Sequence, residues 1–233
     1  MVTITIDGQL IEAAEGERVL EVARRNHIFI PSLCFLEGLT INGSCRLCMV
    51  EIDGGRLPQM ACATVVRNGM SVVTNTEALR TQQRMLLQLI FASGQHVCAV
   101  CEANGYCELQ ALAQRLGMTH IMLAPRWEMV PVDLSHERYG YDINRCVMCQ
   151  RCIRACDEVE GAGVWAVRGH HSEARILPGL TGKWGEADDC TKCGKCVMAC
   201  PTGALFDKQV ATAEMKKDCG LLVRLVEHRE RVL

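Results

Sequence analysis

From Val2 to Ile6 apolar residues alternate with threonines, the two-residue period of a half-buried strand. Asp7-Gly8 offers a hairpin turn into a second strand, Gln9 to Ala13. After Gly16 the period lengthens, and Val19, Leu20, Val22 and Ala23 share one side of a helix over Arg18 to Asn26. Pro31 ends the approach to Cys34. Cys48 to Ile52 and Met70 to Thr74 read as two further strands, with the turn Asp53-Gly54-Gly55 between them. A hairpin, a helix and more strands over residues 1–77 predict an α+β module of the β-grasp kind.

The helical period returns over Thr76 to Ala92, closed by Ser93-Gly94, and again from Cys107 to Leu116, with Gly117 as its C-cap. Residues 124–144 carry Pro125 and Pro131 among scattered polar residues and read as a linker. From Arg145 onward two cysteine-dense loops form the one internal repeat, separated by a stretch containing Gly161, Gly163, Gly179, Gly182 and Gly185. Leu221 to Leu233 is helix-like, with Leu222, Leu225 and Val226 on one stripe. The expected organisation is therefore 1–77, a helical segment 78–123, the linker 124–144, a repeat domain 145–210 and a helical tail 211–233.

Composition changes the picture. Aromatic residues make up 4% of the 233 residues while cysteines number 16, so large apolar cores are scarce. Small domains with thin cores rely on disulfides or metals. No basic region followed by an apolar one opens the chain, and the most apolar run, Met85 to Ala92, is too short to span a bilayer. A cytoplasmic protein is expected, and there many cysteines point to metal rather than to disulfides. The formal charge of -2 provides no basic field for nucleic acid.

The spacing of the thiols narrows the metal. Cys146-x2-Cys149-x2-Cys152-x3-Cys156 and Cys190-x2-Cys193-x2-Cys196-x3-Cys200-Pro201 match the bacterial ferredoxin run. Three thiolates on one curling loop each reach a different iron of a cubane, and the fourth points away to the other cluster. One 4Fe–4S cluster is thus expected on Cys146, Cys149, Cys152 and Cys200, and another on Cys190, Cys193, Cys196 and Cys156. Zinc prefers paired Cys-x2-Cys knuckles, and the third cysteine has no place in a tetrahedral site.

Near the N-terminus Cys34-x10-Cys45-x2-Cys48-x13-Cys62 resembles the plant-type 2Fe–2S arrangement with a longer first gap. Taken alone, this group also suits a zinc site or four buried thiols. Between the two predicted helices lies His96-x-Cys98-x2-Cys101-x5-Cys107. Three thiolates leave a 4Fe–4S cluster one ligand short, and His96 stands just before them; the plainer account is a solvated histidine with water or another side chain as fourth ligand. These groups use all the cysteines except Cys219, which reads as a spare thiol. His27, His120, His136, His170, His171 and His228 show no metal spacing. Arg46, Arg145, Arg151, Arg154, Lys192 and Lys195 recur beside the thiols, where cations favour the reduced state of an anionic cluster. No dinucleotide fingerprint, P-loop or nucleophile–base set is found, so a substrate site is not expected in this chain.

Together these residues resemble a known family. The Cys34/Cys45/Cys48/Cys62 group, the loop from His96-Val97-Cys98-Ala99-Val100-Cys101 to Cys107-Glu108-Leu109-Gln110 and the double ferredoxin run look like the N-terminal portion of the large iron–sulfur subunit of respiratory complex I. The same block occurs in iron-only hydrogenases and NAD-linked formate dehydrogenases. The resemblance is strongest to the diaphorase gamma subunit of bidirectional, NAD-reducing nickel–iron hydrogenases, over essentially the whole chain. Close relatives of Cys152-Ile153-Arg154-Ala155-Cys156-Asp157-Glu158-Val159-Glu160-Gly161 and Cys200-Pro201-Thr202-Gly203-Ala204-Leu205-Phe206 occur there. In complex I the histidine falls at the position of Gly94; the hydrogenase branch has H-x-C, so the resemblance carries the ligand role to His96. It implies one 2Fe–2S and three 4Fe–4S clusters, with no FMN, NAD or nickel bound by this chain. It further implies a non-catalytic electron-transfer subunit of an NAD-linked oxidoreductase. Its partners would be a flavin/NAD-binding diaphorase subunit and the small and large hydrogenase subunits. The alternatives are the equivalent relay of a formate dehydrogenase or complex-I-like assembly, and a zinc-stabilised non-redox scaffold.

Overall fold

The computed structural model describes residues 1–232. β1 (Val2–Ile6) and β2 (Gln9–Ala13) form an antiparallel hairpin that sets Ile4 opposite Ile11. Its turn residues Asp7 and Gly8 both have positive φ, the geometry a two-residue hairpin needs. α1 (Val19–Arg25) follows, then β3 (Met49–Ile52), β4 (Gln59–Met60) and β5 (Ser71–Val73). The sheet order is β2-β1-β5-β3-β4, with β1 and β5 parallel and the other pairs antiparallel. A parallel pair needs a long crossover, and here it runs through α1 and the loops that hold Cys34, Cys45 and Cys48. The buried side of α1 (Val19, Leu20, Val22 and Ala23) joins Ile4, Ile6, Val50, Ile52 and Val72 in one core.

α2 (Glu77–Ala92) begins at Thr76, whose hydroxyl accepts from the Leu79 amide at 3.3 Å, and α3 (Glu108–Arg115) ends before Gly117 at φ +68°. Leu87 of α2 and Leu109 and Leu112 of α3 pack against Leu33 and Leu47, which flank Cys34 and Cys48. The helices therefore support the first cysteine loops as well as their own.

The remaining elements are β6 (Tyr139–Tyr141), α4 (Arg151–Arg154) with a π-helical turn over Ala155–Glu160, β7 (Trp165–Arg168), β8 (Arg175–Pro178), α5 (Lys195–Ala199), β9 (Leu205–Asp207) and α6 (Cys219–Val232). β6 pairs with β9 and β7 with β8, both antiparallel. Leu222 of α6 packs with Ala155, Ala199, Leu36 and Leu39; the final residue of the predicted tail, Leu233, lies outside the described residues.

Residues 124–144, expected to be a linker, contain β6, which pairs with β9. Buried Asn144 knits the stretch together: its side-chain oxygen accepts from Trp127 Nε1 at 2.6 Å and the Val130 amide at 2.9 Å, and its Nδ2 donates to the Val130 carbonyl at 2.8 Å. Gly140 lets β6 press on Phe206, because a Cβ there would lie 2.3 Å from the ring. The prolines broke the sequence period without breaking the packing. Among the described residues no helix is long and apolar enough to cross a membrane.

Candidate metal centres

The thiols of the N-terminal set lie on two connections of the first module, Cys34, Cys45 and Cys48 between α1 and β3 and Cys62 between β4 and β5. Cys34, Cys48 and Cys62 are buried and Cys45 is half-buried. Their sulfurs pair by hydrogen bonds, Cys34 with Cys45 and Cys48 with Cys62, and charge on Cys34 is felt at both members of the second pair. Within each pair the hydrogen bond pulls one thiol down (Cys34, to about 5; Cys62) and pushes the other up (Cys45, Cys48), with burial adding to the rise. The Leu33 amide donates to Cys45 Sγ at 3.5 Å. Gly43 and Arg46, both at positive φ, turn the loop around Cys45. Four sulfurs so crowded in a dry core share protons unless cations replace them.

His96, Cys98, Cys101 and Cys107 line a single cavity with about 350 Å³ free of protein atoms, open solvent included. Phe91 and Leu109 wall it on the apolar side. The His96 ring meets Phe91 edge-on at 5.2 Å, and its buried Nε2 has no hydrogen-bond partner among the described residues. Burial, then the nearby Arg145 charge, push the imidazole down to about 4, so it is neutral and free to act as a donor to metal. Burial pushes Cys107 up to about 11. Two glycines make the space. A Cβ at Gly203 would lie 2.3 Å from Cys101 Sγ, and one at Gly94 would lie 2.8 Å from His96 Nε2. The ring of His96 thus reaches back over the position where the complex I pattern has its histidine.

The two ferredoxin-like runs interlock. Cys146, Cys149 and Cys152 share a cavity with Cys200, while Cys190, Cys193 and Cys196 share another with Cys156, each with about 310 Å³ free of protein atoms, open solvent included. In each run the second and fourth residues after the first cysteine are left-handed: Met148 and Gln150, then Lys192 and Gly194. These reversals curl the loop so that three sulfurs face one side. α4 and α5 then carry the fourth sulfurs across. Burial pushes Cys146 up to about 11 and Cys149 up to about 12. Burial opposes ionisation of Cys200 as well, but the Lys217 charge and backbone hydrogen bonds of Thr202 and Leu205 outweigh it and lower that thiol. Lys217 Nζ donates to the Cys200 carbonyl at 2.7 Å.

Cys219 lines none of these three cavities, and its thiol lies 3.2 Å from the Met198 carbonyl. Among the described residues no three His, Cys, Asp or Glu side chains converge on a single-ion position. In the three cavities the donors ring a space, which suits a polynuclear cage. The spacing gave no hint of His136. Its Nδ1 accepts from the amides of Arg138 and Tyr139 at 3.1 Å, so the proton sits on Nε2, 4.0 Å from Cys190 Sγ. Trp184 Nε1 donates to the same sulfur at 3.4 Å. Of the flanking cations, Arg145 reaches Cys101 Sγ at 3.4 Å and Glu102 at 2.7 Å, whereas Lys192 and Lys195 pair with Glu137 and Glu160.

Family models match three stretches of the chain. Residues 1–77 match the model of a 2Fe-2S iron-sulfur cluster binding domain, 83–122 that of the NADH-ubiquinone oxidoreductase-G iron-sulfur binding region, and 186–206 a 4Fe-4S binding domain. The HoxS subunit gamma of the NAD-reducing hydrogenase from Cupriavidus necator is 30% identical over 210 residues, spanning 90% of this chain and 88% of that one. The chain belongs to this gamma-subunit family. A crystal structure of NAD+-reducing [NiFe]-hydrogenase in the H2-reduced state contains a chain similar to this gamma-type chain at a TM-score of 0.84 and 36% identity, covering 90% and 88% of the two chains. The NADP-reducing hydrogenase subunit HndD of Solidesulfovibrio fructosivorans is 37% identical over 224 residues, covering 90% of the gamma-type chain. The gamma-type chain spans 24% to 36% of the length of the first curated relatives it matches, HndD at the upper end.

Proposed function

We propose that this chain is an electron relay carrying one 2Fe–2S cluster on Cys34, Cys45, Cys48 and Cys62 and three 4Fe–4S clusters. The three cubane sites use His96, Cys98, Cys101 and Cys107; Cys146, Cys149, Cys152 and Cys200; and Cys190, Cys193, Cys196 and Cys156. The observation that carries the reading is the exchange of the fourth thiol between the two runs, since each cavity closes only with a sulfur from the other. Such clusters supply one-electron acceptors whose potentials follow charge, hydrogen bonding and burial. The chain's own residues set those conditions: Phe91, Trp165 and Trp184 keep water from the sulfurs, and Arg145 brings positive charge to Cys101. The first 77 residues form the β-grasp module, 78–123 the histidine-containing segment, and the repeat domain of 145–210 takes in β6. Electrons pass between a flavin/NAD(H) diaphorase subunit and the small and large subunits of a nickel–iron hydrogenase, so this subunit needs no substrate site.

The match of residues 83–122 to the complex I region favours a second reading, the same relay in a complex-I-like assembly. Anaerobic purification of the intact complex tests both. Iron and sulfide with a reducible 2Fe–2S signal and several 4Fe–4S signals are expected, together with nickel and H2-dependent NAD reduction. Relay signals without nickel would leave the second reading, and zinc-filled, EPR-silent protein would overturn the relay itself.

A further inference from the structure

α4 carries two arginines, one turn apart, whose guanidinium groups lie inside the protein: Arg151 is 1% exposed and Arg154 8%. Arg154 donates to the Cys34 carbonyl at 2.6 Å, to the Cys149 carbonyl at 3.2 Å and to the Thr40 carbonyl. Cys34 belongs to the N-terminal set and Cys149 to the first ferredoxin-like set, so one cation is bonded to the backbone of both. Arg151 donates to the Phe35 carbonyl at 2.9 Å and to both carboxylate oxygens of Glu108 at 2.6 and 2.9 Å. Phe35 follows Cys34 and Glu108 follows Cys107, so this second guanidinium ties the N-terminal set to the histidine-containing one.

The two cations differ in how their charge is met. Arg151 is matched by a bidentate carboxylate and its charge also acts on the Cys149 sulfur, whereas the bonds of Arg154 go to neutral carbonyls and its charge acts on both the Cys149 and the Cys34 sulfurs. The five donors of a guanidinium form a rigid fork, which holds several carbonyls at fixed separation. A desolvated positive charge also stabilises added negative charge nearby far more than one in water does.

We propose that Arg154 is a positioning residue shared by the 2Fe–2S site and the first 4Fe–4S site of the repeat domain, fixing their separation and raising both reduction potentials together. Arg151 fixes geometry, with a charge that acts on Cys149 but that Glu108 offsets and that Arg151→Lys would retain. This rests on the cluster assignments above. The test is an anaerobic redox titration of the intact complex followed by EPR. Arg154→Gln is expected to move both midpoint potentials lower and to leave that of the His96 site in place. Arg154→Lys is expected to restore the potentials while weakening the spin–spin coupling between the two clusters. Arg151→Lys should leave both potentials unchanged.

Glu158, whose carboxylate acts on Arg154, accepts from the Thr40 amide at 2.8 Å. Glu158→Gln removes a negative charge there and should move both potentials up; it also serves if Arg154→Gln does not assemble. The proposal is overturned if Arg154→Gln shifts only one potential or neither, if Glu158→Gln moves neither, or if Arg151→Lys shifts them as far as Arg154→Gln does. Unmodified complex lacking the two signals would instead sink the cluster assignment on which the proposal rests.

Discussion

Gly203 and His96 show how single positions make room for a cage. Gly203 sits where any Cβ would come within 2.3 Å of Cys101 Sγ. Gly203→Ala is therefore expected to cost about 1–3 kcal/mol of stability through overpacking. It should also displace Cys101, so that the EPR signal of the histidine-containing site is lost while the 2Fe–2S signal persists; an unchanged spectrum would contradict the assignment. His96→Ala should remove the same signal without overpacking, since the ring's Nε2 meets no hydrogen-bond partner among the described residues. His96 was legible in the sequence, standing just before Cys98. Gly203 was not, because its constraint is a close approach to a residue far away in the chain, and no local pattern records that.

At the scale of elements, β1, β2, α1 and α2 follow the apolar period almost residue for residue, since each buries a face decided by its own side chains. The short ribbons β6–β9 and β7–β8 escaped that reading. Three or four residues carry too little period, and Tyr139 finds its partner at Asp207, remote in sequence. β6 is held by its pairing with β9 and the Asp133–Tyr141 bridge, and the stretch before it is tied down by Asn144, a residue type that in sequence argues for a loop. Asn144→Ala should leave the half-buried Trp127 indole without its acceptor, costing about 1–3 kcal/mol. Thermal unfolding of the iron-loaded protein would measure it, and a loss well under 1 kcal/mol would mean that water replaces the amide.

Across the whole molecule the apolar cores are small, and cysteines belong to all four of them or to the side chains packed against them. Where thiols take the place of larger apolar groups, metal binding and folding are coupled. Removing iron anaerobically with a chelator should abolish the cooperative thermal transition of the repeat domain, since Cys146, Cys149 and Cys152 would be buried protonated around an unfilled space. The hairpin and α1 share a core of aliphatic side chains and should keep more of their far-UV signal. Retention of one sharp transition by the iron-free chain would refute the coupling.

The swap of Cys156 and Cys200 between the two loops has a consequence for biosynthesis. Translation runs from the N-terminus, so the earlier loop leaves the ribosome with three sulfurs in place and must wait for residue 200 before its quartet is complete. The later loop, already holding Cys156, has its full complement at residue 196. The cavity encoded first is thus the last that can be closed, and a nascent chain interrupted between those two positions would be ready to receive only one of the pair.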